Sequence, residues 1–87
     1  MKIDNEKLKL ILQALAEVYP YPPSTDYMDA LIKDVGKESD FDGHMLYLAD
    51  KGLIITDMKW VDGFGGYTIS PDKTRISSKG LDHLATL

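Results

Sequence analysis

No local spacing in this chain assembles side chains for acid–base, nucleophilic or metal chemistry. His44 and His83 are the chain's two imidazoles. No His-x-x-x-His or comparable spacing builds a metal set around either one, so both are read as structural or surface histidines. Ser77-Ser78-Lys79 has the side chains of a Ser–Lys nucleophile pair. Its position reads instead as the cap of a terminal helix, and so small a domain is not expected to form a cleft. Gly63-Phe64-Gly65-Gly66 lacks the Gly-Lys-Ser/Thr ending and the following helix of a phosphate loop. There is no cysteine, which excludes disulfides, thiolate metal sites and a cysteine nucleophile. No catalytic residue, metal site, cofactor or small-molecule substrate is expected.

Charge is the more informative signal. The 87 residues carry a formal charge of −4, the wrong sign for non-specific attachment to nucleic acid or an anionic membrane. The acid is concentrated. Residues 26–50 hold seven acids against two bases, a net −5, while the remainder of the chain is at +1. Asp40 and Asp42 sit at the start of a predicted helix, where carboxylates favour the positive end of the helix dipole and would repel a phosphate backbone. Lys51, Lys59, Lys73, Arg75 and Lys79 are the candidates for a weak basic strip that could meet nucleic acid. Leu46 and Tyr47 lie off the inward stripe of the same helix, and Trp60, Phe64 and Tyr67 cluster around the glycine-rich turn. Phe64, flanked by glycines, is hard for its own chain to bury and is a candidate anchor for a protein partner. Aromatics beside acids suit a protein surface better than a phosphate backbone.

The elements that must position these residues follow from periodicity. Leu8, Ile11, Leu12, Leu15 and Val18 form one stripe of a first helix, capped by Asp4 or Asn5 and stopped by Tyr19-Pro20-Tyr21-Pro22-Pro23. Met28, Leu31, Ile32 and Val35 mark a second helix, capped from Ser24, Thr25 or Asp26 and ended at Gly36. After a link of Lys37-Glu38-Ser39, a third helix is predicted from Asp40 to Lys51, with Phe41, Met45 and Leu48 inward and Gly52 as its stop. Leu53–Met58 reads as a strand, extended by Trp60 and Val61 to the turn at Asp62–Gly66. Tyr67–Ser70 reads as the returning partner, and Lys73–Ile76 as a further extended piece. Ser77 or Ser78 caps a last helix carrying Leu81, Leu84 and Leu87. Three helices, a glycine-tipped hairpin and a short closing helix describe an α+β winged helix-turn-helix spanning residues 1–87 as one domain.

His44-Met45-Leu46-Tyr47-Leu48-Ala49-Asp50-Lys51-Gly52-Leu53-Ile54 resembles the His-Leu-x-x-Leu-x-x-x-Gly-Leu-Ile run of many winged-helix proteins. Ile76-Ser77-Ser78-Lys79-Gly80-Leu81-Asp82-His83-Leu84 resembles their Ile/Leu-Thr-x-x-Gly-x-x-Leu ending. The chain is most similar to the small bacterial and prophage winged-helix proteins of the YjcQ type. The layout matches over nearly the whole length, the motifs over about twenty residues. The resemblance implies a bacterial or phage origin and a regulatory role, and transfers no catalytic residue.

No apolar run reaches the roughly 20 residues that cross a bilayer, and charges interrupt Met1–Lys7 where a signal peptide needs apolar sequence, so a cytoplasmic protein without membrane contact is expected. The expected function is a non-catalytic binding module. It would dock a protein, itself or a partner, through the acidic third helix and aromatic wing: Asp40, Asp42, Leu46, Tyr47, Trp60 and Phe64. The alternative is a DNA-binding transcriptional regulator using the basic residues named above.

Overall fold

The computed structural model describes residues 1–87. Helix α1 (Asn5–Val18) is capped by Asp4, whose carboxylate accepts the Glu6 N–H at 2.9 Å, and it buries Ile11, Leu12 and Leu15. Ser24 caps α2 (Thr25–Val35) by accepting from the Tyr27 N–H. The Tyr27 hydroxyl then donates to the Ala14 carbonyl at 2.8 Å, tying α2 to α1. Burial, with the Glu17 carboxylate beside it, raises that hydroxyl's pKa above the ordinary tyrosine value.

Helix α3 (Glu38–Asp50) begins two residues before the expected Asp40, so only Gly36 and Lys37 connect it to α2. Gly36 makes so short a link feasible with φ at +116°, a conformation glycine adopts without penalty,. The other end of α3 closes as a Schellman motif. The Leu53 N–H reaches the Leu48 carbonyl and the Gly52 N–H the Ala49 carbonyl, both at 2.9 Å,. The Lys51-Gly52-Leu53 part of the family-like run is therefore a helix terminator whose Leu53 turns into the core.

The extended segments differ from the expected pair of continuous strands. Strand β1 (Ile54–Ile55) stops after two residues, and β2 (Lys59–Val61) resumes beyond a break. Likewise β3 (Gly66–Thr68) is separated from β4 (Arg75–Ile76) by a 3₁₀ turn at Pro71–Lys73. Pairing is antiparallel, β1 with β4 and β2 with β3, giving two two-stranded sheets along one interrupted hairpin. Side chains cause the interruption. The Asp57 carboxylate accepts the Ser70 N–H at 2.8 Å, and the Thr56 hydroxyl meets the Thr74 hydroxyl at 2.9 Å and accepts the Met58 N–H at 3.3 Å. They take the hydrogen bonds a ladder would otherwise make.

Helix α4 (Ser78–Leu84) ends before Leu87, which lies past the helix rather than on its apolar stripe. Its cap, the buried Ser77, accepts from the Gly80 N–H at 2.9 Å and donates to the Gly52 carbonyl at 2.6 Å. Twelve apolar residues from α1, α2, α3, Leu53, β1 and β4 form one core cluster, including every predicted inward residue of α3. No helix is long and apolar enough to cross a membrane.

Candidate interaction surface

The β2–β3 hairpin carries the aromatic residues, and its register decides which face each one takes. Trp60 pairs directly with Tyr67, so their side chains share a face,. The rings meet edge to face with centroids 5.3 Å apart,. The indole N–H donates to the Asp62 carboxylate at 2.7 Å. At the tip, the Gly65 N–H reaches back to the Val61 carbonyl, with Gly65 at φ +75°. Phe64 folds its ring over Gly66, where a Cβ would meet it at 3.2 Å. Gly66 pairs with Val61, so Phe64 lies on the face opposite Trp60 and Tyr67. The aromatic cluster expected from the sequence is thus divided. Phe64 stays 72% exposed and Trp60 53%, whereas Tyr67 is half-buried.

On α3 the acids have different fates. Asp40 is in the first turn and forms the molecule's one ion pair, with Lys7 at 2.9 Å. Hydrogen bonding to that ammonium holds its carboxyl below the usual carboxylate range. Asp42 would lie in the first turn of a helix starting at Asp40. The earlier start places it beyond that turn, where the dipole offers little,. Burial, with Glu38 nearby, pushes its carboxyl up. Leu46 is half-buried and Tyr47 is exposed at the edge of α3, with the Lys51 ammonium 5.5 Å from its ring centroid. No hydrogen bond or ion pair joins these α3 residues to the hairpin aromatics.

His44 is fully buried and joins distant parts of the chain. Its Nε2 accepts the Asp4 N–H at 2.9 Å, and its Nδ1 donates to the Asp40 carbonyl at 2.6 Å. One nitrogen accepting and the other donating defines a neutral ring in one tautomer. Met1 also lies on α3, where a Cβ on Gly43 would strike its side chain. The segment before α1 is therefore fastened along α3 by His44, by Lys7–Asp40 and by Met1.

Lys51, Lys59, Lys73, Arg75 and Lys79 are all exposed, and none is in an ion pair. Lys51 and Lys79 line a cleft between α1, α3 and α4 together with His83, while Lys59 and Arg75 belong to different sheets. That cleft, about 440 Å³, corrects the expectation that so small a domain would form none. It lies where α1 packs against both α3 and α4, and no periodicity in the chain announces it. No group of three or more histidine or carboxylate side chains converges as a metal set. Comparison with known proteins returns no match among family models, curated proteins or solved structures.

Proposed function

We propose that the chain is a regulatory, non-catalytic winged-helix module of the cytoplasm that docks a protein, itself or a partner, through its hairpin wing and the exposed surface of α3. The observation that carries this reading is Phe64, 72% exposed at the tip of a hairpin whose shape is fixed by the Gly65 turn and the Trp60–Tyr67 pair. A large apolar side chain on a rigid support has the form of an interface anchor, since little conformational freedom is lost on binding. The arrangement of α1–α3 and the interrupted hairpin is compatible with a winged helix, and the motif runs at His44–Ile54 and Ile76–Leu84 support that assignment. Asp40 is occupied by Lys7, so Asp42 and the exposed Glu38 and Asp50 carry the acidic character of α3.

Phe64→Ala tests the reading, because it deletes the anchor and removes almost nothing from the core. Its melting temperature should match wild type within about 0.5 kcal/mol of stability, while concentration-dependent self-association in sedimentation equilibrium, or retention of a cross-linked partner, is lost. Identical assembly and identical cross-linked partners in wild type and variant would overturn it.

A second reading, DNA binding, is favoured by the unpaired Lys59, Lys73 and Arg75. It requires duplex affinity that falls steeply with salt and weakens on Lys73→Ala or Arg75→Ala. Fluorescence anisotropy with mixed-sequence duplex at low and physiological salt separates the two, since absence of low-salt binding disposes of the second.

A further inference from the structure

The cleft between α1, α3 and α4 combines an apolar floor with two lysines, Lys51 and Lys79, that no ion pair engages. Leu8 and Leu12 from α1, Leu48 from α3 and Leu53 form the floor, and Leu12, Leu48 and Leu53 are buried. Its volume of about 440 Å³ lies within the roughly 300–1,000 Å³ of small-molecule sites. Lys51, Lys79 and His83 stand on its exposed side, and no aspartate or glutamate lines it. That sign is notable in a chain with 14 acids against 10 lysines and arginines. The Lys51 ammonium sits over the Tyr47 ring, a contact that leaves its N–H groups free for an anion. The smaller cleft between α1 and α2, about 280 Å³, shows the reverse: Glu17 and Asp34 line it, and no base does.

We infer that the larger cleft binds a small amphiphile with an apolar body and a single carboxylate. The apolar body rests on the leucine floor, where burial is favourable and undirected, and the carboxylate meets Lys51 and Lys79. The head group sets the selectivity: a neutral alcohol gains no charge-assisted hydrogen bond, and a cation faces two ammonium groups. The site uses no residue of the hairpin, so it stands apart from the docking reading.

The test titrates the full chain with three ligands sharing a straight ten-carbon tail, decanoate, decanol and decyltrimethylammonium, each below its aggregation concentration. Methyl NMR locates binding and calorimetry measures it. Decanoate should bind one to one and shift the methyls of Leu8, Leu12, Leu48 and Leu53. Decanol should bind about tenfold more weakly, the difference of one charge-assisted hydrogen bond, and the cation should not bind. Lys51→Gln with Lys79→Gln replaces two exposed side chains and should bring decanoate down to the level of decanol while leaving the unliganded methyl spectrum in place. Leu8→Trp, which fills the floor, should abolish decanoate binding. The inference is overturned by absence of decanoate binding, by equal affinity for the three ligands, by full affinity in the double lysine variant, or by shifts confined to the hairpin methyls of Val61 and Thr68.

Discussion

At Gly80 the tertiary structure reverses the sign of an ordinary helix substitution. Replacing glycine by alanine inside a helix normally stabilises it by up to about 1 kcal/mol. In α4, however, a Cβ on Gly80 would overlap the Leu53 carbonyl oxygen, lie 2.7 Å from Ile76 Cγ1 and 3.0 Å from the Leu53 carbonyl carbon. Leu53 cannot simply retreat. Its carbonyl accepts the Ser77 N–H at 3.0 Å, and the preceding Gly52 carbonyl accepts the Ser77 hydroxyl at 2.6 Å. Making room for one methyl group therefore moves α4 away from the α3–β1 corner and lengthens both bonds. Overpacking of this kind costs about 1–3 kcal/mol, and a weakened buried hydrogen bond adds about 1 kcal/mol. Set against the propensity gain, Gly80→Ala should lose about 1–3 kcal/mol, which for a domain of this size lowers the melting temperature by roughly 4–8 °C per kcal/mol. Thermal melts and urea titrations followed by circular dichroism measure this directly. Gly63→Ala is the control, because a Cβ there meets nothing within 4 Å. A Gly80→Ala variant that melts at or above the wild-type temperature would refute the close-contact argument.

Other substitutions test the remaining joints. His44→Phe keeps an aromatic ring of similar size in the fully buried site but removes both hydrogen bonds. It should cost about 1–3 kcal/mol in urea unfolding, with faster amide exchange at Asp4; unchanged stability and exchange would show that the ring only fills space. Asp42→Asn should raise the urea midpoint at neutral pH, since burial and Glu38 disfavour the ionised carboxylate, and the gain should vanish in acid as wild-type Asp42 protonates. Asp57 behaves oppositely. Hydrogen bonding to Ser70 holds its carboxyl below the usual range, so its contribution is fully present above the ordinary carboxylate pKa of about 4 and is lost as pH falls through the lower folded value. Asp57→Asn should therefore flatten the acid limb of stability against pH, and an acid limb identical to wild type would remove Asp57 from that account.

What the sequence discloses about this molecule depends on how far apart the interacting residues are. The stripes Ile11-Leu12-Leu15, Met28-Leu31-Val35 and Phe41-Met45-Leu48 are local repeats, and all nine residues are in the core. The caps Asp4, Ser24 and Ser77 act within three residues of themselves, and the local sequence narrows each to two or three candidates without choosing among them. The exposure of Phe64 was legible too, from its flanking glycines. Its separation from Trp60 was not, because faces follow register, and register depends on Trp60 opposing Tyr67 and Val61 opposing Gly66. Contacts spanning 25 to 40 positions, such as Ser77 with Gly52, Lys7 with Asp40 and Asp4 with His44, leave no periodic trace at all. The cleft is the extreme case. Leu8, Lys51 and His83 share a wall only because α1 packs against both α3 and α4, so along the chain Lys51 and Lys79 look like scattered solvated charge. Composition also conceals them, since a net −4 averages over a molecule whose acids gather between residues 26 and 50. The same topology that brings Lys51 beside Lys79 directs Lys7 to Asp40. One basic residue thereby cancels an acid of α3 while two others remain unpaired around an apolar floor, and it is this local imbalance, rather than the total charge, that gives the cleft a preference for an anion.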